Sequence, residues 1–283
     1  MIIAIAGYNG LIGKRFVHDR KEDRLIRLSR DLLYGDVLRL SQAMEGADLV
    51  VNLAGSPINT RWTRHNKKKI EQSRHGVNTR LVEAINRMEK KPELFMTASA
   101  IGIYETGNTH DENHHKLAEN YLAKVVKNWE APLEKLSDEV NAVRLRIGIV
   151  LGREGGALKP FLLAYRIGIL PIMGSGKQVY SFIHLEDLNA AIRFIIHSRQ
   201  NGIYNLCAPH PVDNATFTRS LAKIGRRKWV IRVPVFILRL VFGEAHIMVT
   251  EGPRVLPARL LREGFGFNFP DIDSALVNLV KKH

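Results

Sequence analysis

Short runs rich in β-branched residues alternate with stretches of helical apolar spacing through the first half of the chain. Ile2–Ala6, Arg24–Leu28, Leu49–Leu53, Leu94–Ala98 and Ala142–Ile147 have the length and composition of strands. Between them, Leu11–Val17, Leu38–Met44, Ile70–Met88 and Tyr121–Leu136 place apolar residues three and four apart, which predicts helices. Strand and helix in strict alternation predict an α/β fold, a doubly wound parallel sheet covered by helices on both faces. After Gly152 the texture changes to shorter elements broken by Gly155-Gly156, Pro160, Pro171, Gly174, Gly176 and Pro209. The expected division is a sheet domain over residues 1–152 and a smaller C-terminal lobe over 153–283. Part of the latter, about 177–208, is expected to return to the sheet. No internal repeat or long linker interrupts this pattern, so the two parts are expected to pack together.

Composition narrows the picture. A 45% hydrophobic and 25% charged chain of 283 residues is that of an ordinary globular protein. Cys207 is the sole cysteine, which excludes an internal disulfide and any thiolate-rich zinc site. The apolar N-terminus has no basic leader and meets a glycine at Gly7, too early for a signal peptide. A reducing, cytoplasmic setting is expected on both counts. The most apolar stretch, Val230–Phe242, is broken by Arg232, Pro234 and Arg239 and falls short of the ~20 residues that span a bilayer. The net charge of +14 raises nucleic acid as a partner. However, the basic residues fall in separate patches (Lys67–Lys69, Lys90–Lys91, Arg226–Lys228, Lys281–Lys282) without interleaved aromatics, which favours a solubilising role.

The chemistry begins at Gly7-Tyr8-Asn9-Gly10-Leu11-Ile12-Gly13, directly after the first strand and opening a helix. Glycines in that context allow a tight turn, a close backbone approach to a pyrophosphate, and close packing of helix on strand. The helix N-terminus adds N–H donors. This is the sequence sign of a Rossmann dinucleotide site, with G-x-x-G-x-x-G spacing. The second strand ends near Leu28, where an acid would bind the ribose hydroxyls of NAD(H) and an arginine would accept the 2′-phosphate of NADP(H). Ser29 and Arg30 stand there, which favours NADP(H) over NAD(H), although Asp31 would return an acid to the ribose at a register of one residue.

With that loop in place, the chain resembles the extended short-chain dehydrogenase/reductases. Within them it is most similar to an atypical branch of epimerase-family, cell-division-inhibitor-like and nucleoside-diphosphate-sugar-epimerase-like proteins. The resemblance runs nearly end to end: Asn52–Ile58, Arg61–Thr63, Ala98–Tyr104, Trp129-Glu130, Arg146–Gly152, Gly174–Gly176, Phe182–Leu188, and Val255–Leu261 followed by Gly264-Phe265. It implies an NADP(H) site in the N-terminal domain and a substrate cleft roofed by the C-terminal lobe. It further implies that Leu53, Ala54 and Gly55 line the adenosine side, with Ser56 nearby. Arg74 stands where typical members carry an asparagine on the central helix. Ala98 and Ser99 would lie beside the nicotinamide, and Ile147, Gly148, Ile149 and Val150 would close over the same ring.

The same resemblance implies a catalytic tyrosine, a lysine four residues later that lowers the tyrosine pKa, and a substrate-orienting serine. Ser99 fits the serine and Tyr121 the tyrosine, but position 125 is Val125 and the nearest lysine is Lys124. Three helical steps turn about 300° and four about 400°, so Lys124 falls to the other side of Tyr121 from the usual ammonium. Three readings stay open: Tyr121 and Lys124 act in altered geometry, Tyr104, Asp111 or Glu112 moves the proton, or the protein does not catalyse. His184 and Asp187 read as structural support, without enough further ligands for a metal. Trp62, Arg61 and His65, with Lys177 and Gln178, suit an anionic or oxygenated small-molecule substrate such as a nucleotide sugar. Two functions follow: an NADP(H)-dependent oxidoreductase or epimerase, or a non-catalytic NADP(H) sensor or scaffold with Val233–Phe242 as its partner surface. The chain is expected to be a monomer or a homodimer.

Overall fold

Ile2–Ala6 (β1) is apolar at every position and buried along most of its length, as a central strand covered on both faces must be. The computed structural model describes residues 1–224 and 229–281. The basic positions Arg226–Lys228 and Lys282 lie outside them. Around β1 the chain builds a six-stranded sheet with Arg24–Leu28 (β2), Leu49–Asn52 (β3), Leu94–Ala100 (β4), Asn141–Ile147 (β5) and Gly202–Leu206 (β6). The order is β2-β1-β3-β4-β5-β6 and every pairing is parallel. The chain winds one way from β1 to β2 and the other way from β3 onward. The crevice where the winding reverses, at the C-terminal ends of β1 and β3, is where open sheets of this kind bind ligands.

The strand period of two sorts the side chains onto two faces. Ile3, Ile5, Val51, Met96 and Leu145 pack with Phe16 of α1 (Leu11–His18) and with Leu188, Ile192 and Ile195 further on. Ala4, Ala6, Val50 and Phe95 pack on the opposite face against Leu40 and Met44 of α2 (Val37–Met44). They also meet Leu81 and Ile85 of a later helix. The sequence predicts one continuous helix over Ile70–Met88. The structure instead has α3 (Arg64–Glu71), a single π-helical turn over Gln72–Gly76, and α4 (Val77–Asn86). Likewise the helix expected over Tyr121–Leu136 is α5 (Tyr121–Glu130) followed by a 3-10 segment at Ala131–Lys135, where Pro132 removes an N–H donor.

Beyond Gly152 the chain contributes α6 (Leu185–Ser198), which lies over the first face, and then β6 itself. Much of the rest gathers in a further apolar cluster around Phe161, Leu170, Phe217 and Leu276. There Ile169–Met173 pairs in parallel with Trp229–Val233. Among the described residues no helix is long and apolar enough to cross a membrane.

Candidate functional site

The loop after β1 shows which of its glycines the fold itself requires. Gly7 adopts a left-handed backbone, φ 80°, and a Cβ there would stand 2.4 Å from the Leu53 carbonyl carbon. A Cβ on Gly13 would stand 2.2 Å from the Gly7 oxygen. Those two positions are fixed by chain packing. Gly10 is different: a Cβ there would meet only the Gly7 oxygen at 3.4 Å, an ordinary contact, so packing leaves the position open to alanine. Gly10 also caps α1 in an extended conformation without a side-chain acceptor, and the first turn carries no acid. The N–H groups of Leu11, Ile12 and Gly13 therefore point outward with no acceptor from the cap, the arrangement that receives a phosphate.

A cavity of about 280 Å³ opens beside this loop. Its wall is made by Gly7, Tyr8, Asn9 and Gly10, by Leu53, Ala54, Gly55 and Ser56 after β3, and by Arg30 and Tyr34 after β2. Ser29 accepts a hydrogen bond from the Leu32 N–H and so starts the short helix Arg30–Tyr34, on which Arg30 lies 5.6 Å from the centre of the Tyr34 ring. Arg30, Tyr34 and Ser56 also border an adjoining cavity of about 340 Å³ that reaches Asn66 and Lys69. Asp31 borders neither. A separate cavity of about 530 Å³ shares only Asn9 with the loop cavity and lies among Lys14, Arg15, Arg153, His184 and Asn278.

The remaining cofactor positions divide. Ala98 and Ile147 point into the core of the first face, with Met96 and Leu145. Gly148 is held where the chain passes the Ser181 oxygen, 2.3 Å from where its Cβ would be. Ile149 and Val150 belong to a short strand paired with Phe182–His184. Arg74 projects from the π turn, with its guanidinium 3.5 Å from where a Gly55 Cβ would stand, outside both loop cavities.

Among the described residues no hydrogen bond joins any two of Ser99, Tyr121 and Lys124. Ser99 is 3% exposed and donates to Glu130 Oε1 at 2.5 Å. The reason is register: Ser99 on β4, Arg146 on β5 and Asn205 on β6 are aligned across three neighbouring strands and share one face. Arg146 donates to both Glu130 oxygens, at 2.9 and 2.8 Å, and to the Tyr104 hydroxyl at 2.9 Å. Tyr104 in turn donates to Asn205 Oδ1 at 2.8 Å. Burial opposes the charge on Arg146, yet its bonds and proximity to Glu130 hold its pKa above the usual value. Nothing in the sequence announces this row, since cross-strand register is a tertiary property.

Lys124 is exposed, and the lysine that lies over the Tyr121 ring is Lys67, its ammonium 4.8 Å from the ring centre. Tyr121 lies 4.9 Å from the Trp62 ring and its hydroxyl is buried without a hydrogen-bond partner. Burial first, and then Glu71 and Glu244, push its phenol up to about 12, with Arg74 pulling the other way. The alternative proton carriers are also committed. Tyr104 sits inside the row just described, and burial raises its pKa. Glu112 accepts from the backbone N–H groups of Asn205 and Arg259, and burial raises it too. Asp111 accepts from Asn113 and His114; burial works against its charge, but these bonds hold it below the usual range. Arg61 donates to the Leu240 and Val241 carbonyls, and Gln178 to those of Met173 and Val249. His184 and Asp187 serve the backbone, the first capping α6 and the second accepting from Asn268 and Phe269.

Residues 3–207 match the model of the NAD dependent epimerase/dehydratase family. The chain belongs to that family. Residues 233–279 match a domain of unknown function. An epimerase family protein SDR39U1 homolog, chloroplastic, of Arabidopsis thaliana is 32% identical over 98% of this chain and 86% of its own length. An epimerase family protein of Staphylococcus epidermidis is 32% identical over 98% of both chains. The crystal structure of the human epimerase family protein SDR39U1 with NADPH superposes at a TM-score of 0.92, with 27% identity and 100% of each chain covered. The Rossmann-like sheet and an NAD(P)-type fold are thereby assigned to this family member as well.

Proposed function

We propose that the protein is an NADP(H)-dependent oxidoreductase or epimerase of the extended short-chain dehydrogenase/reductase type, acting at a carbon bearing oxygen on a small molecule. The observation that carries this reading is Gly10, a glycine that packing does not demand, at the uncapped start of α1 and on the wall of a cavity at the sheet's switch point. An absent Cβ and unpaired N–H donors together fit a pyrophosphate. Arg30, on the border of both cavities with Asp31 outside them, suits a 2′-phosphate. Lys69 supplies a second cation on the far wall. The relative crystallised with NADPH supports the same preference. When bound, the nicotinamide supplies hydride donation and acceptance; the protein's part is to hold it, orient it and exclude water.

Isothermal calorimetry with NADPH and NADH tests this. NADPH is expected to bind more tightly, Arg30→Ala to weaken it by about tenfold while leaving NADH nearly unchanged, and Gly10→Ala to fold normally but bind neither well. A wild-type protein that binds neither nucleotide would sink the proposal.

A second reading, a dinucleotide sensor without turnover, is favoured by the engagement of Ser99 with Glu130 and by a Tyr121 hydroxyl that has no hydrogen-bond partner. It also draws on the helix Val235–Phe242, which leaves Phe236, Leu240 and Val241 exposed. Substrate-dependent loss of reduced-nicotinamide absorbance across a panel of carbonyl compounds decides for the enzyme.

A further inference from the structure

Arg74 is 8% exposed, yet no carboxylate pairs with it among the described residues. Its Nη1 donates to the Ile70 carbonyl at 3.3 Å and approaches Ser73 Oγ at 3.5 Å, and the guanidinium carbon lies 4.9 Å from the centre of the Trp129 ring. Burial draws its pKa down to about 10, with Tyr121 acting in the opposite direction, so it carries its charge at neutral pH. An isolated buried cation is costly, and folds keep one where something else supplies the counter-charge.

Ile70, whose carbonyl takes the Arg74 hydrogen bond, packs in one cluster with Tyr121, whose hydroxyl is itself buried and unbonded. A phenol raised to about 12 stays protonated, so Arg74 and Tyr121 present two kinds of donor and no acceptor. The acids that act on Tyr121, Glu71 and Glu244, make no hydrogen bond to it; Glu244 is paired with Lys67 at 2.5 Å. One side of Tyr121 is apolar, where Trp62, Ile58, Leu122, Phe242 and Met248 form one cluster with it, while the Lys67 ammonium lies 4.8 Å from the centre of its ring. The π turn is what brings Arg74 here, and such turns recur at functional sites.

We infer that Arg74 and Tyr121 form the anion-binding end of the substrate site and take the carboxylate of a small molecule whose remaining body is apolar. This deepens the proposed function and rests on it for the cofactor that shares the cleft. A carboxylate supplies two acceptor oxygens, one for the guanidinium and one for the phenol, and the Trp62 cluster covers the body. A dinucleotide phosphate is the competing anion, since the guanidinium lies against Gly55 on the wall of the loop cavity although Arg74 itself lines neither loop cavity; the titration below separates the two.

The test is calorimetric titration of NADPH-saturated protein with benzoate, the simplest carboxylate on an apolar ring, in wild type, Arg74→Gln and Tyr121→Phe. Wild type is expected to bind benzoate, with affinity falling about tenfold or more in Arg74→Gln and by a smaller factor in Tyr121→Phe, and with NADPH affinity the same in all three. Tyr121→Phe removes one oxygen and keeps the ring packing, so it reads the site even if Arg74→Gln fails to fold. Benzoate that does not bind to protein that binds NADPH overturns this inference alone, as does equal benzoate affinity in wild type and both variants. An Arg74→Gln protein that loses NADPH affinity by a comparable factor assigns the guanidinium to a cofactor phosphate and overturns it too. Benzoate bound by a wild-type protein that ignores NADPH leaves the anion site standing and removes the cofactor reading.

Discussion

Two buried arginines lie on either side of one helix end, and their surroundings are opposites. Trp129 and Glu130 are consecutive on α5. Trp129 carries the guanidinium of Arg74 on its ring, and Glu130 binds that of Arg146 through both oxygens. Arg146, 4% exposed, also holds the Tyr104 hydroxyl, and Tyr104 holds Asn205. That region is complete without any ligand. Around Arg74 there is a carbonyl, a distant hydroxyl and a face of indole, with an unbonded phenol alongside. The contrast separates a charge that fixes three strands and a helix from a charge that awaits a counter-ion. Burial and strong electrostatic perturbation are common to both, so neither alone marks a functional residue.

The contrast breaks most visibly at Glu130. Glu130→Gln leaves Arg146 buried without its anion and should destabilise the protein by roughly 3–5 kcal/mol in urea denaturation. Arg74→Met should do the reverse, because it removes an uncompensated charge and keeps the packing. We expect the ligand-free protein to gain about 1–2 kcal/mol, read as a higher melting temperature. Alkaline titration sharpens the comparison further. Tyr121 is raised to about 12 in the fold from an ordinary value of 10, so between those limits the unfolded chain releases a proton that the folded chain keeps. Stability should therefore be intact below pH 10 and decline as pH climbs towards 12, with a shallower decline in Tyr121→Phe. Lys124→Ala should show the least, within about 0.5 kcal/mol, with NADPH binding unchanged, since the ammonium faces solvent.

Much of the sheet was legible because its signals are local. Ile2–Ala6 and Arg24–Leu28 are strands at the very residues whose pattern predicts them, and the turn from Gly7 to Gly13 is written in residues only a close chain crossing or a ligand would need. Leu53 drops out of β3 because the side chain of Asn52 turns back to accept from the Ala54 N–H. The π turn is hidden in the sequence because one added residue in a helix leaves the apolar spacing of Ile70–Met88 helical while rotating Arg74 out of line. The engagement of Ser99, expected from the resemblance to orient a substrate, is hidden from the sequence for a different reason. Its partner Glu130 lies thirty-one residues away, and its neighbour Arg146 is set by strand register, neither of which is encoded by nearby residues. The displacement of Lys124, by contrast, needed only the pitch of a helix.

The placement of the indoles has a practical outcome. Of the three tryptophans in the chain, Trp62 touches Tyr121, Trp129 lies beneath Arg74, and Trp229 is 78% exposed in the second lobe. Fluorescence emission from this protein is thus divided between two buried chromophores and one in water. Arrival of an anion at Arg74 alters the local field on Trp129 and Trp62 and leaves the red-shifted emission of Trp229 as an internal reference, so the molecule carries its own optical gauge of occupancy.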